Sequence, residues 1–244
     1  MAYVEMTPQP FDTAILGGPV YRAEMTSVSQ VPFLGTSVPE DAILVSARVP
    51  PDWTNVMEAI TEFREIERLV SFECPLTPAI GGPLPEGIRL ARREDADACA
   101  EIAGRGFSFD RLHVDTTIDT KKADESKRAW ALNNILWRAE ANFVAEFRNR
   151  VVGFNLCRQG EDWALIDLIA VAPEAQGLGL GKTLVRAALL YFAGRVPVLR
   201  VGTQASNAAS IAIYAANGFT KSKEMVTYHW TPGGAVLIQA ENQR

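Results

Sequence analysis

Cysteine and histidine are scarce in this sequence: Cys74, Cys99 and Cys157, with His113 and His229, are all that 244 residues contain. The cysteines are odd in number, far apart and without metal-ligand spacing. They read as reduced, mostly buried thiols of a cytoplasmic protein, and no metal site is expected. A surplus of positive charge is also missing. Lys and Arg number 24 against 29 Asp and Glu, a net charge of -5, which argues against a nucleic-acid partner but leaves room for a locally basic anion site. Long apolar runs are absent too. The most apolar helical stretch, Leu184 to Ala193, is broken by Arg186 and is about half the length of a membrane span, so no membrane partner is expected. The opening residues MAYVEMTPQPFD lack a basic region followed by an apolar core, and no signal peptide is expected. No internal repeat or low-complexity segment stands out. With 48% hydrophobic and 22% charged residues, the composition suits a chain that buries a real core.

The clearest boundary is CPLTPAIGGPLPEG, whose four prolines and three glycines cannot continue a helix or a central strand. The expected division is a small unit over residues 1–74, a linker over 75–87, a larger domain over 88–230 and a tail over 231–244. In the small unit, Ala42 to Val49 and Arg68 to Cys74 have strand composition, and Trp53 to Phe63 has helical period, giving a partial β-α-β. After the linker, IRLARRED begins with a strand and ends at Asp95, a candidate N-cap for ADACAEIAGRGF. A second helix is expected around ESKRAWALNNILWRAE, then a hairpin about Asn149 and Arg150, then the strand WALIDLIAV. The helix KTLVRAALLYFA, the strand VPVLRVGT, the helix NAASIAIYAANG and the strand EMVTYHW complete the order. The sum is α/β (α+β): a mixed, mostly antiparallel sheet flanked by helices.

The most informative segment is VAPEAQGLGLGKT, Val171 to Thr183, between an apolar strand and a helix. Gly177, Gly179 and Gly181 remove side chains where backbone N–H groups and a helix N-terminus point outward, an arrangement suited to phosphate or pyrophosphate. A dinucleotide fingerprint needs G-x-G-x-x-G and a later acid; this loop is G-x-G-x-G, and Pro197 to Val201 contains no acid. A Walker loop needs glycine where Gln176 stands. A plain helix cap does not need three alternating glycines.

Gln176-Gly177-Leu178-Gly179-Leu180-Gly181 resembles the Q/R-x-x-G-x-G/A pyrophosphate loop of the GNAT acetyltransferases. The resemblance extends upstream through LIAVAPEAQ and downstream to SNAASIAIYAANGF, and covers about residues 88–230. It implies acetyl-CoA as co-substrate and no metal. The backbone of Ile169, Ala170 and Val171 would then bind the pantetheine arm like an added strand. The amides of Gln176, Gly177, Leu178, Gly179, Leu180 and Gly181 would cradle the pyrophosphate, with Lys182 and Thr183 nearby. Asn207 would contact the pantetheine, and Tyr214 would be the catalytic acid facing the sulfur. Spacing adds independent support: residues seven apart share a helix face, separated by about 10 Å along the axis. A thiol near pKa 8.5 and a tyrosine near 10 differ by about 1.5 units, so full proton donation is uphill by roughly 2 kcal/mol and Tyr214 works best as a hydrogen-bond donor. Asp167 alternates with the buried run and is either a proton acceptor through water or a solvent-facing polar position.

Within the superfamily, LRVGTQASNAASIAIYAANGF resembles the TDP-fucosamine acetyltransferases, which implies a TDP-linked amino-deoxy sugar as acceptor. Thr203 and Gln204 fall in that segment, and Arg111, in FSFDRLHVD, is the candidate contact to the nucleotide diphosphate. A homodimer is allowed for. Two readings compete: an acetyltransferase for another small amine, amino acid or protein N-terminus, and a non-catalytic acyl-CoA-binding module. The sensor reading does not need Tyr214.

Overall fold

The computed structural model describes residues 3–234, so residues 235–244 of the expected tail lie outside the described residues. The chain begins with β1 (Glu5–Pro8), α1 (Pro10–Leu16) and β2 (Val20–Glu24), then β3 (Leu44–Val49), the single turn α2 (Thr54–Met57) and β4 (Phe63–Pro75). The helix expected over Trp53 to Phe63 is reduced to that turn. Phe63 already belongs to β4, and the β-branched Thr54, Val56, Ile60 and Thr61 weaken a helix there.

Beyond the proline-rich run come β5 (Ile88–Leu90), α3 (Ala96–Gly106), α4 (Arg111–Val114) and α5 (Thr120–Asn133). A meander of β6 (Ala141–Phe147), β7 (Arg150–Gln159) and β8 (Ala164–Val171) follows. The chain then alternates through α6 (Leu180–Phe192), β9 (Val198–Gln204), α7 (Ala208–Ala216) and β10 (Thr220–Trp230). This is the expected order with the one-turn α4 added. The β6–β7 turn is Arg148–Asn149, both at positive φ (52° and 61°), with Phe147 opposite Arg150. Two left-handed residues match the right-handed twist of a hairpin. Asp95 stands at the α3 N-cap position, but its carboxylate accepts from the Arg92 N–H at 2.7 Å and from the Arg89 guanidinium, closing the preceding 3-10 turn instead.

The chain divides into two compact units. The first comprises Met1–Leu69, Ser108–Ala123 and the chain from Glu224; the second comprises Val70–Phe107 and Asp124–Lys223. β4 and β10 each carry residues of both.

In the first unit, β2 pairs antiparallel with β1 and parallel with β3, and β3 pairs antiparallel with β10. Strand alternation sorts β3 between two cores. Val45, Ala47 and Val49 pack with Val31, Leu34, Met57 and Tyr228, while Leu44 packs with Val20, Leu112 and Ile118.

In the second unit, β5, β6, β7 and β8 are antiparallel neighbours and β9 joins β8 in parallel. Phe143, Phe154, Leu156, Leu184, Leu189, Phe192 and Leu199 form its fully buried centre. Asn155, buried in β7, donates to the Leu184 carbonyl at 3.0 Å and pins α6 onto the sheet. Among the described residues, no helix is long and apolar enough to cross a membrane.

Candidate functional site

The second unit holds a sheet that comes apart on one side. The β8/β9 ladder covers only Ala164–Ile166 opposite Leu199–Val201, although β8 runs to Val171 and β9 to Gln204. On its other side β8 stays paired with β7 as far as Val171 opposite Gly153. The cause is local. Leu156 faces Leu168 and Cys157 faces Ile166, so Asp167 is an extra residue in β8. Such a bulge sharpens the local twist and bends its strand, here where β8 leaves β9. The backbone from Leu168 to Val171, including the predicted Ile169, Ala170 and Val171, therefore presents an edge that an extended ligand can join as a strand.

That edge leads directly to the glycine loop. Gln176 to Gly179 are exposed, and Gly177 and Gly179 hold φ of 78° and 77°. A Cβ at either glycine would meet nothing within 4 Å, so the backbone turn, not crowding, demands glycine there. Gly181 is different: its Cβ would lie 3.1 Å from Ile213 Cδ1, so it is small because α6 and α7 approach each other. Gly179 is the N-cap of α6, and the first helical bond runs from the Thr183 N–H to its carbonyl at 3.1 Å. The earlier amides of α6 have no intrahelical acceptor and carry the positive end of the helix dipole. Leu178 and Leu180 contribute backbone only, with the Leu178 side chain exposed. Gln176 turns back, its Nε2 donating to the Val171 carbonyl at 3.3 Å. The Thr183 hydroxyl donates to Gly179 O at 3.2 Å. Lys182, Thr183, Arg186, Pro85, Ala216 and Asn217 line a groove of about 510 Å³ beside these amides. Arg186 was not singled out in the sequence, though its spacing of four from Lys182 places the two cations on one face.

α7 supplies the remaining predicted residues. Asn207 is its N-cap, with Oδ1 accepting from the Ser210 N–H at 3.1 Å. Tyr214, one helix face along, is buried between Phe72 and Phe219, with ring centroids 5.9 and 5.8 Å away. Burial pushes its hydroxyl pKa well above the usual 10, only partly offset by a hydrogen bond with Ser210. The phenol therefore stays protonated across the physiological range.

The acceptor candidates fall in different units. Thr203 is buried and Gln204 half-buried at the end of β9, in the second unit. Arg111 belongs to the first unit, where its Nη2 donates to Asp12 at 2.6 Å, so it is a paired, half-buried side chain. Arg200 pairs with Glu73 at 2.9 Å. Asp167 is not simply solvent-facing: it is half-buried and accepts from Trp130 Nε1 at 2.7 Å and Asn134 Nδ2 at 2.8 Å.

A parted pair of strands, a left-handed glycine loop and a helix N-terminus in succession coincide with a family match: residues 109–219 match the acetyltransferase (GNAT) family. The chain carries a GNAT acetyltransferase domain. Its architecture is that of GNAT structures. A GCN5-related N-acetyltransferase from Kribbella flavida superposes with a TM-score of 0.59 at 12% identity, over 87% of this chain and 81% of that one. Among curated relatives, a mycothiol acetyltransferase from Amycolatopsis mediterranei is 31% identical over 55% of this chain and 46% of its own length. The spore coat polysaccharide biosynthesis protein SpsD of Bacillus subtilis is 29% identical over 57% of this chain and 48% of its own. The GNAT domain and its flanks thus span about half the length of these relatives.

Proposed function

We propose that this chain is an acetyl-CoA-dependent N-acetyltransferase that acetylates the amine of a small acceptor, a TDP-linked amino-deoxy sugar being the favoured class. The observation that carries the reading is the parting of β8 from β9 next to an exposed glycine loop at the N-terminus of α6. The residues present fit acetyl-CoA. Open space over Gly177 and Gly179 admits a pyrophosphate to the amides, and Lys182 and Arg186 supply positive charge in the adjoining groove. The bound thioester supplies an activated acetyl group. The protein's part is to bind and to hold a proton: the β8 edge takes an extended arm, and the loop amides take the diphosphate. Tyr214 keeps a protonated hydroxyl as a hydrogen-bond donor for developing negative charge. Because burial raises its pKa further, outright proton loss is harder than for a free tyrosine, and donation by hydrogen bond suits it better.

The acceptor reading draws on the segment from Leu199 to Phe219 and on a relative named for spore coat polysaccharide biosynthesis. The relatives named mycothiol acetyltransferase favour a second reading, an acceptor amine outside the nucleotide sugars. Cys74, Cys99 and Cys157 are all free and buried, which suits a reducing cytoplasm. The test is direct. Acetyl-CoA at a hundred times its dissociation constant should stabilise the fold by about 2.7 kcal/mol, with ATP and NAD doing much less. A rate assay with acetyl-CoA and a panel of amines, TDP-amino sugars included, then identifies the acceptor. Equal thermal shifts with all three nucleotides would refute the loop assignment.

A further inference from the structure

The side chains around the β8 bulge carry hydrogen-bonding capacity that the cofactor reading does not use. Asn134 is fully buried at the end of α5, where the helix widens into a π turn over Asn134–Arg138 and the Ala139 N–H reaches back to the Asn134 carbonyl at 3.0 Å. Such turns are rare and recur at functional positions. The Nδ2 of Asn134 and the Nε1 of Trp130 both donate to the same atom, Oδ2 of Asp167. Oδ1 of Asp167 carries no hydrogen bond among the described residues, and Oδ1 of Asn134 is buried without a partner. Flipping the Asn134 amide does not relieve this, because it would set its oxygen against the carboxylate. Two acceptor oxygens, one of them charged, are thus held beside the point where β8 leaves β9, and neither has a donor.

We propose that Asp167 and Asn134 together receive the primary amine of the acceptor in its ammonium form, with Trp130 as the residue that positions the carboxylate. The proposal rests on the amine-acetylation reading above and names the residues on the acceptor side. An ammonium group brings three N–H donors and the charge that balances Asp167, whereas a hydroxyl brings one donor and no charge. Two other ionisable groups lie near this cluster: the buried Cys157 thiol, which the Asp167 charge helps keep protonated, and Lys127, buried with its ammonium over the rings of Phe107 (5.0 Å) and Trp130 (4.8 Å). The docked ammonium must pass one proton to Asp167 or to solvent before its nitrogen can attack as the neutral nucleophile that acyl transfer needs.

The test compares wild type with Asp167→Asn, Asn134→Ala and Trp130→Phe, using acetyl-CoA and the amine of highest kcat/KM in the panel. A hydrogen bond to a charged group changes affinity by about 10- to 100-fold. The amine KM should rise by that much in Asp167→Asn and Asn134→Ala, and by less in Trp130→Phe, which keeps the ring. The KM and thermal shift for acetyl-CoA should stay within about twofold of wild type, a split that general loosening of the fold would not produce. The hydroxyl analogue of the amine, tested as a competitive inhibitor, should lose its disadvantage in Asp167→Asn. Unchanged amine KM in Asp167→Asn and Trp130→Phe overturns the proposal even if Asn134→Ala does not fold, and leaves the cofactor reading standing. Failure of every amine to be acetylated by a wild type that still binds acetyl-CoA removes the amine reading, and this site with it.

Discussion

The two units differ in how much charge they bury. Among the described residues, the first unit buries four carboxylates, Asp12, Glu67, Asp110 and Asp115, together with His229. Among the described residues the second buries one carboxylate, Asp95, and one ammonium, Lys127; its other buried polar side chains, Ser126, Asn134, Asn155 and Thr203, are neutral, and the rest of its core is apolar. In the first unit Asp115 is the hub: it accepts from His229 Nδ1 at 2.7 Å, from Thr117 N and Oγ1 at 3.0 and 2.7 Å, and from Arg64 Nη2 at 3.2 Å. Such a network costs desolvation and contributes only while every member is in place. In the second unit the proposed chemistry sits at a sheet opening and a helix terminus, beside a largely apolar core. Buried carboxylates are therefore concentrated in the first unit, while the cations of the proposed cofactor groove in the second, Lys182 and Arg186, are exposed.

That contrast is broken most sharply at Tyr214. Tyr214→Phe keeps the ring between Phe72 and Phe219 and deletes only the hydroxyl. Loss of general-acid help is typically worth about 10²–10⁴-fold, so kcat should fall by that factor with both Michaelis constants nearly unchanged. The melting temperature should move little, because the core keeps its packing. Full turnover in Tyr214→Phe removes the acid role and leaves the fold and the loop as they are.

The next effect concerns the loop. Gly179 at φ 77° has open space around its Cβ position, so the Cβ of Gly179→Val meets no neighbour, but the residue is strained by about 1–2 kcal/mol in the left-handed region. It also sets a branched side chain in front of the amides. The KM for acetyl-CoA should rise by about 10-fold or more, with kcat at saturation changing less and the fold retained. Unchanged cofactor kinetics in this variant count against the pyrophosphate site.

How far the site could be read from the sequence follows the same divide. The glycine loop was legible because left-handed backbone at Gly177 and Gly179 leaves a local mark in residue type. Asn207 stood out in the sequence only as a pantetheine contact, and its place as the N-cap of α7 was not read there. The parting of β8 from β9 was not legible: the bulge at Asp167 is set by which residues of β7 lie opposite, and an apolar run such as ALIDLIAV looks alike with or without it. Trp130 and Asn134 were hidden inside what reads as a continuous helix, since nothing in their spacing marks a π turn. In the first unit, β1 and β2 were missed because they are short and polar, EMTP and VYRAE, with weak alternation. Arg111 was visible as a charge, but its partner Asp12 lies 99 positions away and no local pattern connects them.

The smallest expected effect is a pH dependence confined to the first unit. Burial lowers the His229 pKa below its ordinary 6.5, and the hydrogen bond that its Nδ1 donates to Asp115 only partly restores it. The folded state therefore keeps His229 neutral where the unfolded chain is already taking up a proton. As pH falls below about 6.5 the unfolded state binds more protons than the native one, and stability declines until native His229 titrates as well. Asp115 acts in a separate, more acidic window. Burial alone would raise its pKa, but hydrogen bonds from His229 and Thr117 outweigh that and hold it well below the usual carboxylate range. Its contribution is complete above about pH 4 and is lost only as pH drops towards its depressed native value. Hydrogen exchange measured from pH 8 to pH 5 should show β3 and β10 losing protection while β6 and β7 hold theirs. His229→Asn supplies an amide donor for Asp115 without a titrating ring, so it should flatten the decline in β3 and β10. If the variant and the wild type lose protection in parallel across that range, His229 is not the group responsible. If β6 and β7 lose protection together with β3 and β10, the contrast between the two interiors does not govern how they unfold.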